Sequence, residues 1–306
     1  MIDYILERDV PLRHLQLEAA NLISEAKWRE FFGKAGHRLE TLKLAWLDYS
    51  LNDETMAFLA VGCPNLKRLK LKKCFRIGDA SLQAISQLTG LEHLSLRFIQ
   101  PNSAEPLTNM LRSVGSKLQT LSLERFEDAD DEVLANIHAT CSKLRKLRFT
   151  ENDYCTDAGF AELFASWANP PLSVVDLSSN RDLDKSNPDG PQDPVGLASD
   201  GLLALMAHSG SKLEKLDISS CRHISHRAFA AVFNGEKKYP SLREINISFL
   251  TTIDTSIMAG MFKSCPSMRK VTAFGCFGVS DVVVPAGVAL IGVPNAQEAI
   301  IKEGRF

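Results

Sequence analysis

The chain has 306 residues, 45% of them hydrophobic and 24% charged, with a formal net charge of −2. This composition is too apolar for a disordered chain, and the charge is too balanced to point to a nucleic-acid partner by itself. No run approaches the roughly 18 apolar residues of a membrane span, and residues 1–11 lack the layout of a signal peptide, so an intracellular protein is expected.

Residues 1–11 carry little apolar pattern and read as a lead-in, truncated from a longer protein. From Leu12 a Leu-x-x-Leu-x-Leu signature begins, and it returns at Leu39, Leu66, Leu91, Leu118, Leu144, Leu172, Leu213, Leu242 and Met268. The clearest copy is NLKRLKLKKCFRIGDASLQAI, residues 65–85. Leu66, Leu69 and Leu71 alternate as in a strand, and Ile77, Leu82 and Ile85 then adopt the wider spacing of a helix face. One such unit cannot cover its own apolar side, so it needs copies above and below. The expected fold is therefore α/β: a leucine-rich-repeat solenoid, or horseshoe, of about ten cysteine-containing-type repeats over 12–281. It is one domain by architecture, with a parallel sheet on the concave side and helices on the convex side.

In the first unit Trp28, Phe31 and Phe32 have helix-face spacing and are expected to fill core. Asn52, Asp53, Asp79, Asp130, Asp131 and Asp157 lie at helix starts, where a side-chain oxygen can cap. In the fourth unit Pro101 and Pro106 delay the helix to about Glu105. The seventh unit is 41 residues long (Leu172 to Leu213) and contains a Pro-, Asp-, Gly- and Asn-rich insertion at about 181–198. It reads either as a tolerated surface loop or as a partner-docking loop presenting Asp182, Asp184, Asp189 and Asp193. The last unit keeps its strand but replaces the helix with residues 282–306, read as a C-terminal cap with short β-branched runs and a closing helix over 296–303.

The seven cysteines follow the repeat. Cys74, Cys221 and Cys276 hold its ninth position, Cys63, Cys141 and Cys265 precede a new unit, and Cys155 sits in a turn. Without any CxxC pair they read as buried, reduced and structural, with no metal. His223 and His226 share a turn, but a metal pair would want a third ligand and Cys221 is already taken by the repeat; no phosphate loop, nucleophile elbow or HExxH occurs. Neither an enzyme nor a cofactor is expected.

The third, fifth, seventh and eighth positions of each unit face the concave side. They place Lys43, Arg68, Lys70, Lys72, Lys73, Arg97, Arg125, Lys146 and Arg148 there, against Glu124 and Glu151, with Trp46 and Phe98 alongside. Like charges so gathered repel, which a mere solubility surface would avoid, so these residues are the candidate contact face for a protein partner or for DNA. Repeats seven to nine present Asp176, Ser178 and Ser179, then Asp217, Ser219 and Ser220, then Asn246, Ser248 and Phe249 instead. These leave room for a partner side chain or serve turn bonding.

Units with Cys at the ninth position, as in LKLKKCFRIGDASLQAI and LDISSCRHISHRAFAAV, resemble the cysteine-containing leucine-rich repeats of F-box-type ubiquitin-ligase receptors. The opening VPLRHLQLEAANLISEAKWREFF and the closing VSDVVVPAGVALIGVPNAQEAI resemble the leucine-rich subunit of the fungal global-genome nucleotide-excision-repair complex. That resemblance implies a nuclear, non-catalytic scaffold that partners a Snf-type translocase with a RING finger, or a ubiquitylation substrate. It also implies an elongin-C-like adaptor, bound through a region N-terminal to the repeats that residues 1–11 do not supply. Alternatives are a DNA-binding module using the basic face, and a substrate receptor of an SCF-type ligase unrelated to repair. A monomeric repeat domain is expected.

Overall fold

The computed structural model describes residues 1–293 apart from 21, 48, 49, 100, 102, 127, 153 and 181–195. The chain forms two compact units, Met1–Leu144 and Arg145–Phe306, and both follow the plan of a leucine-rich-repeat solenoid.

In the first unit five strands alternate with helices. They are β1 (His14–Glu18), β2 (Thr41–Ala45), β3 (Arg68–Lys72), β4 (His93–Arg97) and β5 (Thr120–Glu124). Each pairs in parallel with the next in chain order. The registers place leucine beside leucine, Leu42 by Leu69 by Leu94 by Leu121 and Leu44 by Leu71 by Leu96 by Leu123. All eight are buried. Burying a leucine side chain contributes about 1.5–3 kcal/mol, so these two columns are the spine of the core.

The helices are α1 (Ile2–Glu7), α2 (Glu25–Ala35), α3 (Asp53–Gly62), α4 (Asp79–Ile85), α5 (Glu105–Val114) and α6 (Asp131–Thr140). Helix α1 is a finding beyond the apolar pattern: Ile2 and Ile5 are buried, and Asp3 pairs with Lys27 of α2 at 2.6 Å. Trp28, Phe31 and Phe32 are wholly buried, as their spacing predicts. Helix α5 starts at Glu105, with its proline in the first turn.

The second unit contains β6 (Lys146–Thr150), β7 (Val174–Asp176), β8 (Lys215–Asp217), β9 (Glu244–Asn246), β10 (Lys270–Thr272) and β11 (Ala289–Ile291), again parallel in chain order. Its helices are α7 (Asp157–Phe164), α8 (Ser199–Ser209), α9 (His226–Val232) and α10 (Thr255–Ser264). Strand β11 pairs with β10 where a further helix would otherwise follow, so the C-terminal segment continues the sheet. The closing helix expected over 296–303 lies outside the described residues.

Helix starts show two kinds of cap. Asn52, Asp130 and Thr156 accept from the first turns of their own helices α3, α6 and α7. Asp53 and Asp157 instead reach the following repeat. Asp53 accepts from the amides of Gly78 and Ser81 and from the Ser81 hydroxyl, supplying α4, which has no side-chain cap of its own. Asp157 does the same for α8, so capping of its own helix falls to Thr156.

All seven cysteines are free and buried. Cys221 donates its Sγ–H to the Leu177 carbonyl of the preceding repeat, and Cys276 donates to Ile247, each at 3.1 Å. Burial pushes the thiols of Cys63, Cys221 and Cys265 up to about 12 and that of Cys141 to about 11. Reactivity resides in the thiolate, so the native chain at about pH 8 should leave a disulfide reagent such as DTNB almost unreacted, and denaturation should release all seven thiols. A fast-reacting thiol in the native chain would contradict this burial.

Candidate functional site

The outward-facing residues of β2, β3 and β4 form the cationic surface of the first unit. Lys43 lies directly beside Lys70, and Lys72 directly beside Arg97. Adjacent strands are about 4.8 Å apart, and like charges placed opposite one another are destabilising. One of these cations is neutralised: Arg97 donates to Glu124 on the next strand at 2.6 Å, and both side chains are largely buried. Lys43, Arg68 and Lys72 have no ion pair among the described residues.

One residue beyond each strand of the first unit the backbone turns left-handed. In the first unit this position holds Ala19, Trp46, Lys73, Phe98 and Arg125, with φ between 53° and 58°. The turn aims the amide at the neighbouring strand: Trp46 donates to Lys72, Lys73 to Arg97 and Phe98 to Glu124 at 2.9–3.0 Å, which lengthens the ladder by one bond per repeat. The side chains interleave. The Lys73 ammonium lies 3.9 Å from the Trp46 ring centre and 5.2 Å from that of Phe98, and the Arg125 guanidinium lies 5.5 Å from Phe98. Such cation–π contacts contribute about 0.5–1 kcal/mol each at exposed sites.

Lys146 and Arg148 belong to the second unit, where two of the outward-facing cations are paired. Arg148 pairs with Asp176 at 2.8 Å and Lys215 with Glu244 at 2.8 Å. Asp176, Asp217 and Asn246 occupy one row, and each accepts from the amide and hydroxyl of the serine two residues on. Asn246 also donates to Asp217 at 2.9 Å. Burial pushes the Asp176 carboxyl above its ordinary range, against the lowering effect of the Ser178 bonds and Arg148. Of the two readings left open for this row, turn bonding is the one observed.

Sequence reasoning thus located the cations but missed their pairing, because Arg97–Glu124 and Arg148–Asp176 follow from strand register. The insertion read as a tolerated surface loop or as a docking loop with Asp182, Asp184, Asp189 and Asp193 has these four residues outside the described residues. Among the described residues no group of three or more His, Cys, Asp or Glu side chains could hold a metal ion. No described helix is long and apolar enough to cross a membrane.

Stacked strand–turn–helix units with leucine columns and buried turn cysteines define a leucine-rich-repeat fold. No protein-family model matches the chain. It is homologous to the DNA repair protein rhp7 of Schizosaccharomyces pombe, 24% identical over 270 residues, covering 86% of this chain and 44% of that protein. The DNA repair protein RAD7 of Saccharomyces cerevisiae is 24% identical over 302 residues, covering 94% of this chain and 50% of its own length. The F-box/LRR-repeat protein 4 of Bos taurus is 28% identical over 204 residues, covering 66% of this chain and 30% of that protein. The chain therefore spans half or less of the curated relatives it matches. In fold it is similar to a chain in the crystal structure of the yeast Rad7 and Elc1 complex, with a TM-score of 0.54, 19% identity and coverage of 95% and 86%.

Proposed function

We propose that this chain is the repeat region of a non-catalytic scaffold in a nuclear nucleotide-excision-repair and ubiquitin-ligase complex. It would hold a Snf-type translocase carrying a RING finger, or a ubiquitylation substrate. The observation that carries this reading is homology to two yeast DNA repair proteins across 86% and 94% of the chain. The likeness to the F-box/LRR-repeat protein and the association of yeast Rad7 with Elc1 support the ligase side and an elongin-C-like adaptor. A stacked-repeat fold suits the role, since each repeat adds its outward-facing side chains to the surface of its neighbours.

Affinity purification of the tagged chain from its own cells tests the proposal. The translocase is expected to co-purify, and a variant with residues 181–195 replaced by a short Gly–Ser linker reports whether that stretch is the contact. Failure of the unaltered chain to retain any repair or ligase component would end this reading.

A further inference from the structure

The left-handed position after each strand is filled differently in the two units. In the second it holds Glu151, Ser179, Ser220, Phe249 and Gly275, in the first Trp46, Lys73, Phe98 and Arg125 after Ala19. Bulky residues at positive φ cost on the order of 1 kcal/mol each, a cost glycine escapes. The backbone reason for the turn, an amide donated to the next strand, is common to both units: Ser179 donates to Ser219 and Ser220 to Ser248 just as Lys73 donates to Arg97. The turn therefore explains the conformation but not the choice of tryptophan, lysine, phenylalanine and arginine in succession.

We infer that this ring–cation strip, with the cations beside it, is a docking site for an extended acidic segment of a partner protein. Three observations combine. Lys43, Arg68 and Lys72 have no ion pair among the described residues, although carboxylates neutralise Arg97, Arg148 and Lys215. Lys73 is held between two rings and Arg125 against one, so these charges are positioned before any ligand arrives. Trp46 is more than a third exposed, whereas Trp28 and Trp167 are buried, so an aromatic surface is left beside the cations. Positive charge beside ring surface complements an extended segment with carboxylates along one side, whose methylenes and backbone can lie against the rings.

A nucleic acid is also anionic, but its binding domains are ordinarily basic overall. This chain has a net charge of −2 and a sequence pI of about 6.4. The cations of the strip form a local patch on a chain that is not basic overall, which favours a short acidic segment over a long polyanion. The inference deepens the scaffold reading and rests on it only for the class of partner. The complex can form when the peptide test below fails, and the peptide can bind when the complex is absent.

The test is fluorescence anisotropy of the full chain with three labelled probes: a Glu–Ser repeat peptide of about fifteen residues, a Lys–Ser peptide of equal length, and an oligothymidylate of about fifteen nucleotides. The Glu–Ser peptide should bind and shield Trp46 from acrylamide quenching, and the Lys–Ser peptide should not bind. The triple variant Lys43→Glu/Arg68→Glu/Lys72→Glu, checked for an unchanged circular dichroism spectrum, should lose roughly tenfold or more in affinity. The control Arg227→Glu/Lys237→Glu/Lys270→Glu, equal in charge change but located in the second unit, should bind as the parent does. Tighter binding of the oligothymidylate, equal losses in both triple variants, or no peptide binding would each overturn the inference.

Discussion

Replacing Trp28 with alanine should destabilise the first unit by about 3–5 kcal/mol, the usual cost of removing a buried aromatic side chain. Trp28 has no exposed surface and stacks on Phe32 at 5.3 Å, with Phe31 edge-on at 6.2 Å. Its indole Nε1–H donates to the Ser50 hydroxyl at 3.2 Å, so the variant also leaves a buried hydroxyl without this partner. The three rings come from one helix, and their neighbours cannot close the gap without losing contact with one another. Urea denaturation monitored by circular dichroism gives the number. Trp28→Phe, which keeps most of the ring stacking, should lose less than half as much, and Ser50→Ala about 1 kcal/mol. A loss below about 1 kcal/mol for Trp28→Ala would show that the cluster can collapse, against the close packing of such interiors.

Asp157→Ala is the second large effect, expected to cost about 3–5 kcal/mol through polar groups instead of volume, since hydrogen bonds to a charged acceptor contribute about 1.5–3 kcal/mol each. Its Oδ1 accepts from the Ala198 and Gly201 amides at 2.8 and 2.9 Å, and its Oδ2 accepts from Asp200 at 2.9 Å. Helix α8 has no other side-chain cap, because its N-cap residue is Ala198. The approach is close: a Cβ on Gly201 would meet the same carboxylate oxygen at 2.8 Å, which makes Gly201→Ala a second route to the same damage. Hydrogen exchange locates the effect, and amides of the first turns of α8 should exchange faster in Asp157→Ala than in Thr156→Ala, which removes the local cap of α7. Equal protection of α8 in the two variants would refute the cross-repeat role.

Much of this architecture was legible from the leucines. Their spacing gave the strands, the switch to helical spacing gave the helices behind them, and Trp28, Phe31 and Phe32 could be placed inside from their helix-face positions alone. Asp157 shows where such reading stops. It stands in the sequence like any helix-start aspartate, and nothing local reveals that its carboxylate serves amides 41–44 residues away. The same holds for Arg97 and Glu124, whose partnership exists only because β4 and β5 pair in register. At the strip, sequence positions identified Trp46, Lys73, Phe98 and Arg125 as outward-facing. Their left-handed backbone carried no signal, because left-handed turns are ordinarily recognised by glycine or asparagine. Helix α1 went unseen because Ile2 and Ile5 make only one turn of apolar pattern.

The reach of Asp53 and Asp157 gives the stack a direction. In each case the carboxylate belongs to the earlier repeat and the amides it satisfies to the later one. A chain leaving the ribosome emerges N-terminus first, so the acceptor is already synthesised when the helix that needs it appears. Helices α4 and α8 can then start on a finished neighbour without waiting for residues still to come. Shortening such a chain from its C-terminus leaves α4 and α8 with their caps for as long as the helices remain, whereas shortening it from the other end past Asp53 or past Asp157 strips the cap from α4 or α8.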